Sequence, residues 1–434
     1  MELLAPAGNL EKLATAYAYG ADAAYIGVRG FSLRAYADTV SEDTSIDRFG
    51  DGKPVGRRLY AALNLFAHRT DLDALPVVLE RLAALPIDAV IIADLGLLDI
   101  VRRWLPTVDL HLSTQANCTN AEAARLYHRL GFSRVIPARE LSLEEVADIK
   151  QAVPELEIEV FAHGAQCMAY SGRCFLSDHL TGRAANHGDC AQPCRWNYRV
   201  LRAEVEEEKR PGEVITLESD RRYLSFLSSR DLNLFDHLKA LEQVGVTAIK
   251  IEGRMKSAYY VAAVTRAYRA ALDALDGDAA AAVRLPEHRR HLEEISHRPY
   301  TTGFLLNDSS VHGAATANSP TKYRLMGLLK SRRRIGETSN GWEVSVKNTI
   351  HRGQTIEYLP QDGRGATVIE DLDFALFSPD GEAVDRITNA SGGILLPGPT
   401  VDLGALRPGT VVRALRSRKP GDTRGSDREV ADRR

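Results

Sequence analysis

The chain of 434 residues is 44% apolar and 26% charged, which allows a large core and a division into about two or three domains. Its net charge of -3 excludes a global field that would gather a polyanion, so nucleic-acid contact has to come from local basic patches. The longest apolar windows, such as 89–98, run about ten residues and include Asp94, and no basic stretch with an apolar run precedes the strand-like Glu2-Leu-Leu-Ala, so the expectation is a cytoplasmic protein with no membrane partner.

From Met1 to about Pro320, apolar or β-branched runs alternate with helix-period segments, the signature of βα units and a parallel sheet. Strands are predicted over 3–6, 23–27, 60–65, 89–93, 110–113, 134–137, 158–162, 224–228 and 247–251, with amphipathic helices over 9–19, 75–85, 120–130 and 142–151. That is one strand too many for a closed eight-stranded barrel. We assign the surplus to an excursion over 203–228, with its acidic run 204–208, inserted before the last barrel strand. The fold class is then α/β, a TIM-type (β/α) barrel over residues 1–320. A doubly wound open sheet is the alternative, but no Gly-x-Gly-x-x-Gly occupies a first βα turn.

Active sites of such barrels collect at the C-terminal ends of the strands. Those positions here hold Asn64, Asp94, His111, Ser113, Gln115, Arg139, Glu140, His163, Glu252 and Arg254. Any one of them reads equally well as a helix cap; together they describe a polar mouth on an apolar barrel. Two helical segments follow, 259–276 and 286–297. From 321 to 415 the pattern changes to short strands punctuated by Asn340-Gly341, Asp362-Gly363, Pro379-Asp380-Gly381 and Gly392-Gly393, which predicts a small all-β, barrel-like domain. Residues 416–434 have almost no apolar side chains and are expected to be a disordered tail. Two basic patches stand out: Arg195, Arg199 and Arg202 interleaved with Trp196 and Tyr198, and Lys330 with Arg332, Arg333 and Arg334. A solvated charged face is the ordinary reading of both.

Four of the five cysteines fall in one stretch as Cys167-x6-Cys174-x15-Cys190-x3-Cys194, while Cys118 stands apart as a packing residue. In a reducing compartment shared ligation of a soft metal explains the cluster better than disulfides. Four thiolates suit either tetrahedral zinc or a [4Fe-4S] cluster. Only Cys190 and Cys194 have the close spacing usual for structural zinc, which favours the cluster.

The segments Glu159-Val-Phe-Ala-His-Gly-Ala-Gln-Cys167, Tyr170-Ser-Gly-Arg-Cys174, Asn186-His-Gly-Asp-Cys190 and Cys194-Arg-Trp-Asn-Tyr198 resemble the collagenase-like "peptidase" family. Further matches are Glu2-Leu-Leu-Ala-Pro-Ala-Gly8, Gly20-Ala-Asp-Ala-Ala-Tyr-Ile-Gly27, His111-Leu-Ser-Thr-Gln-Ala-Asn117, Ala138-Arg-Glu-Leu-Ser142, Lys250-Ile-Glu-Gly-Arg254 and Tyr300-Thr-Thr-Gly303, so the resemblance runs over about 1–415. It implies oxygen-independent hydroxylation of transfer RNA, ribosomal RNA or a ubiquinone precursor, with a 4Fe-4S cluster on cysteines within the segment 159–198. One barrel with one small β domain containing Trp342-Glu-Val-Ser-Val-Lys-Asn348 is most like the members that act on transfer RNA. That similarity implies 5-hydroxyuridine at the wobble position, with prephenate as a required metabolite and a candidate co-substrate. A ubiquinone-pathway relative draws a ligand from the region of Leu232-Asn233, where this chain has no cysteine, which argues for Cys194 as fourth ligand here.

The resulting expectations are specific. Cys167, Cys174, Cys190 and Cys194 hold the cofactor or metal. Glu159, His163 and Glu252 are the candidate acid–base groups. His111, Gln115, Arg139, Tyr170, Arg195, Trp196 and Arg254 bind substrate, a splayed base of the anticodon loop stacking on an aromatic while arginines meet phosphate. The small β domain adds RNA-binding surface through its four cations. Two rival classes are a peptidase, whose one tempting nucleophile–base pair is Cys167 with His163 four residues away, and a non-catalytic zinc-stabilised RNA-binding module.

Overall fold

The computed structural model describes residues 1–28, 30–32, 49, 52–167, 169–183, 185–187, 190–196, 229–307, 321–335, 339–362, 365 and 367–416, and the backbone of four two-residue strands between 205 and 224. The side chain of Arg195, residues Tyr198, Arg199 and Arg202, most of the predicted strand 224–228, and the predicted tail beyond 416 lie outside the described residues. Two compact units are formed, residues 1–320 with 360–367, and residues 321–359 with 368–434.

The first unit is the predicted barrel. Its strands are β1 (Glu2–Pro6), β2 (Ala23–Gly27), β3 (Arg58–Leu63), β4 (Ala89–Ile92), β5 (Asp109–Leu112), β6 (Arg134–Val135), β7 (Glu157–Ala165) and β8 (Ala248–Ile251). Each pairs in parallel with the next, and β8 closes the ring by pairing with both β7 and β1. These strands form because their cores, such as Leu3-Leu4-Ala5 and Val90-Ile91-Ile92, are fully buried on both faces, as a barrel wall demands. The excursion before β8 holds two short antiparallel pairs, 205–206 with 214–215 and 219–220 with 223–224, so the surplus strand is outside the barrel. A short strand over Asp231–Asn233, which the sequence pattern does not reveal, pairs antiparallel with the end of β7 and parallel with Tyr300–Thr301.

The helices between strands are α1 (Leu10–Ala18), α2 (Arg69–Ala83), α3 (Leu98–Trp104), α4 (Ala121–Arg129), α5 (Leu143–Ala152), α6 (Leu176–Thr181) and α7 (Leu238–Gln243), followed by α8 (Ala258–Leu275) and α9 (Ala279–Glu294). Their starts are set by side-chain caps: Asn9 accepts from the Lys12 amide, Asn120 from Ala123, and Ser142 from Glu145, whose carboxylate returns to the Ser142 amide as a capping box. Among the described residues no helix is long and apolar enough to cross a membrane. Residues 360–367 belong to this unit, where buried Arg266 donates to the carbonyls of Pro360 (2.7 Å) and Thr367 (2.8 Å).

The second unit is built on a seven-stranded antiparallel sheet whose longest strands are β9 (Tyr323–Ile335) and β10 (Ser339–Val346). Trp342, Leu329, Tyr358, Ile356, Leu395 and Val412 pack its core. Buried Arg413 pairs with Glu357 at 2.7 Å and lies 3.6 Å over the Tyr323 ring, so this inward cation has both a counter-charge and a π-face.

Candidate active site

Inside the barrel alternate residues of each strand stack in two layers, as a period of two requires. The upper layer, Tyr25, Ala62, Ile91, Ile136, Phe161 and Lys250, is the floor of a cavity of about 1250 Å3, part of it open to solvent. Two residues earlier on four strands are Tyr60, Ala89, Arg134 and Glu159, buried beneath that floor. The cavity walls come from the strand ends: Asn64, Ser113, Thr114, Gln115, Arg139, Glu252 and Arg254, together with all four clustered cysteines.

Beneath the floor Arg134 is 1% exposed and bonded to three carboxylates, Glu2 (2.6 Å), Glu157 (2.6 Å) and Glu159 (3.0 Å). The other oxygen of Glu159 accepts from Lys250 Nζ at 2.9 Å. Burial pushes the Glu159 carboxyl up, but Lys250 and Arg134 outweigh it and hold it down at about 2. Lys250 is pulled down by its burial, against the attraction of Glu159. The bonded geometry of the pair is that of an ion pair, with both groups charged at neutral pH. Glu159 is therefore no acid–base group. At neutral pH it is an ionised, fully buried counter-ion that fixes Lys250.

His111 and His163 also fall outside the cavity wall. His111 is the third residue of β5, one layer below the mouth, with its ring edge-on to Tyr60 at 4.8 Å; burial, with Arg134 next, lowers it to about 3. His163 is displaced by a β-bulge. β7 pairs Phe161 with Lys250 and then His163 with Ile251, so Ala162 is the extra residue and the strand's alternation slips. The imidazole consequently packs outside the barrel among Tyr260 and Tyr268 of α8 and Tyr300, with Nδ1 3.3 Å from Tyr268 Oη. Burial, then His297 and Lys256, lower it to about 3. This removes the Cys167–His163 nucleophile–base pair, because Cys167 lines the cavity while His163 does not.

Both histidines are buried neutral, with folded values near 3 against about 6.5 when unfolded. The unfolded chain thus binds more protons between those values, and their contribution to stability is complete above pH 6.5 and lost as pH falls toward 3. We expect the free energy of unfolding to decline by about 1.4 kcal/mol per pH unit for each histidine in that window. Urea melts at pH 7, 6 and 5 for the wild type and for His111→Asn check this, the variant showing the shallower decline.

The cations at the mouth are held in place. Arg139 lies 3.9 Å over the Phe161 ring and donates to the Ala165 carbonyl at 2.9 Å; Arg254, 5% exposed, donates to Ser32 Oγ at 2.6 Å; Lys250 Nζ sits 4.5 Å from the Tyr25 ring. Gly27 leaves room for Arg254: a Cβ there would come within 1.9 Å of Arg254 Nη1. Among the described residues Glu252 is the one carboxylate in the cavity wall, and it is 6% exposed, so it remains the acid–base candidate. Lys250 was not among the expected site residues, because a lysine inside the apolar run Ala-Ile-Lys-Ile reads as a strand position; that same oddity, a cation in a doubly buried strand, is the signal that marks it.

The cysteine segment is folded onto the mouth by polar ties. Ser171 adopts a left-handed backbone (φ 42°) that Glu140 stabilises by accepting from both its amide and its hydroxyl, each at 2.5 Å. Ser177, fully buried, accepts from the Ala191 amide at 2.9 Å and joins the Cys174 loop to the Cys190 loop. Backbone amides point at two of the sulfurs, Leu176 N to Cys174 Sγ (3.3 Å) and Gln192 N to Cys190 Sγ (3.4 Å). Such amides stabilise thiolate ligands. Among the described residues no three His, Cys, Asp or Glu side chains converge tightly on a point that would hold a single metal ion; the four thiols instead share the wall of the large cavity. This soft donor set fits a polynuclear cluster.

Gln115 lines the cavity, whereas Tyr170 and Trp196 are not in its wall but exposed on the cysteine segment, at 53% and 41%, with Phe175 at 78%. Trp196 is tethered through Nε1 to the Ala191 carbonyl (3.1 Å).

Residues 8–314 match peptidase family U32. The chain is 38% identical over 360 residues to tRNA hydroxylation protein P1 of Bacillus subtilis (strain 168), covering 82% of this chain and 83% of that one. It is 33% identical over 436 residues to tRNA hydroxylation protein P of Escherichia coli (strain K12), covering 92% and 94%. The 23S rRNA 5-hydroxycytidine synthase of the same organism is 36% identical over 275 residues, 63% of this chain and 40% of that one.

Proposed function

The chain belongs to peptidase family U32, and from that premise we propose that it is an RNA-modifying hydroxylase that converts the wobble uridine of transfer RNA to 5-hydroxyuridine without molecular oxygen. The observation that carries the reading is a cavity at the barrel mouth lined at once by four cysteines and by Arg139, Lys250, Glu252 and Arg254. The names of the relatives support the substrate class: two that match along most of the chain are tRNA hydroxylation proteins, and a third acts on a pyrimidine of ribosomal RNA.

Replacing a pyrimidine C–H by C–OH with the oxygen of water releases two electrons and two protons, and no side chain in this cavity can accept the electrons. A [4Fe-4S] cluster held by Cys167, Cys174, Cys190 and Cys194 would pass those two electrons, one at a time, to an external electron acceptor. The chain's own residues do the rest. Glu252 takes the proton released at the attacked carbon. Among the described residues the wall sets three cations, Arg139, Lys250 and Arg254, against one carboxylate, which suits a small dianionic carboxylate such as prephenate as co-substrate. Tyr170, Phe175 and Trp196 offer exposed rings on which a splayed base of the anticodon loop can stack.

The reading is tested by digesting transfer RNA from cells that express this chain as their sole family member and measuring nucleosides by mass spectrometry; 5-hydroxyuridine is expected with the chain and not without it. Within the cavity, Arg254→Gln should raise the prephenate concentration needed for half-maximal modification roughly 10- to 100-fold, the worth of a charged hydrogen bond. Gly27→Ala, which displaces the same guanidinium without altering its charge, should reproduce most of that loss with little change in melting temperature.

A further inference from the structure

The second unit carries an interaction surface separate from the cavity. Residues 330–334 of β9, Lys-Ser-Arg-Arg-Arg, are all exposed, unlike the preceding 326–329, which are buried. A register shift between Leu329 and Arg332 marks where β9 changes character, and beyond it the pairing is with β10 alone: Arg332 with Trp342, Arg333 with Gly341, Arg334 with Asn340. The result is a two-stranded ribbon presenting four cations.

Among the described residues Glu343 meets two of them: it lies 3.4 Å from both Lys330 Nζ and Arg333 Nε and 3.2 Å from Ser331 Oγ. With Glu337 of the connecting stretch also counted, the sequence from 330 to 343 carries a net charge of +2 (four cations, two carboxylates). Lys330 and Arg333 are 54% and 62% exposed, and Arg332 is braced 5.2 Å over the Trp342 ring. Beside the ribbon a recess of about 630 Å3 is lined by Lys330, Arg333, Glu343, Ser345, Asn389 and Gly392 with Gly393. Gly393 is required there, since a Cβ would meet Ile387 at 2.3 Å.

We propose that this ribbon and recess bind the phosphate backbone of the RNA substrate. The inference rests on the RNA-hydroxylase reading and assigns that substrate a contact outside the barrel. A net charge of -3 over the whole chain gives no long-range attraction, so a concentrated patch of net +2 is what local capture of a polyanion needs. Ile335, the apolar residue ending the ribbon, is buried, which leaves the ribbon polar and suits nucleic acid better than a lipid surface.

The test measures binding of unmodified transfer RNA and of anionic phospholipid vesicles to the full chain between 50 and 300 mM salt, for the wild type, for the variant with Lys330, Arg332, Arg333 and Arg334 all changed to Ala, for a variant with the three arginines changed to Lys, and for Glu343→Gln. The alanine variant should bind RNA roughly 10- to 100-fold more weakly, with the log–log salt slope reduced by about 2 to 3. The lysine variant should retain the wild-type slope and Glu343→Gln should bind more tightly, outcomes that a misfolded unit would not give. Wild-type binding of RNA that the alanine variant matches would overturn the ribbon and leave the hydroxylase reading standing. No RNA binding by the wild type, or cation-dependent binding of vesicles alone, would overturn both.

Discussion

Cys190→Ala, purified without oxygen, should retain less than about one tenth of the wild-type iron and acid-labile sulfide, lose the broad visible absorbance, and leave cellular transfer RNA without 5-hydroxyuridine. A cubane needs four thiolate ligands, and Cys190 is one of only four cysteines in the cavity wall. Its sulfur also accepts the Gln192 amide, so the substitution removes a sulfur already oriented by the backbone. Cys118→Ala is the control. Cys118 is fully buried away from the cavity, its thiol pushed up to about 11 by burial, and its loss should leave iron content and modification unchanged. Stoichiometric zinc without iron in the wild type would contradict the redox account and favour the zinc-stabilised module.

Glu159→Gln should be the most destabilising conservative substitution in the barrel, by about 3 to 5 kcal/mol, because it leaves Lys250 buried without its carboxylate and takes one of three from Arg134. The sign of its pH dependence follows from the carboxyl being held at about 2, below its ordinary value of 4.5. Its stabilisation is complete above pH 4.5 and is lost as pH falls toward 2, so the gap between wild type and variant in urea melts should be constant from pH 7 to 5 and shrink below that. A buried ion pair is weak evidence for stability, since apolar replacement of both partners is often neutral. Glu159→Leu combined with Lys250→Met should therefore recover most of the stability and still fail to modify RNA. Recovery of both would show that the pair serves only packing.

The strand order of the barrel could be read because each strand is a short apolar run bounded by turns and followed by a helix-period segment, and the count of nine resolved correctly once 203–228 was set outside the ring. What could not be read was depth within a strand. His111 and Ser113 are both polar positions near one strand end, yet two residues of rise separate a group sealed under Tyr60 from one in the cavity wall. His163 was misplaced by the single extra residue Ala162, a bulge that leaves no mark in the hydrophobic pattern. Glu159 looked like a catalytic acid because its partners, Arg134 and Lys250, lie on two other strands and meet it only when the ring closes. The cysteines were legible for the opposite reason: their clustering is local in sequence, and it needs only the loop ties of Glu140 and Ser177 to bring all four to one cavity.

The measurement that bears most directly on the central claim is turnover by the purified chain, iron-loaded under anaerobic conditions, on unmodified transfer RNA with prephenate and an external electron acceptor, followed by nucleoside mass spectrometry. The account predicts 5-hydroxyuridine at the wobble position in wild-type reactions, and none with Cys190→Ala. Wild-type protein with a full complement of iron and sulfide that binds the RNA yet leaves every uridine unmodified would contradict it.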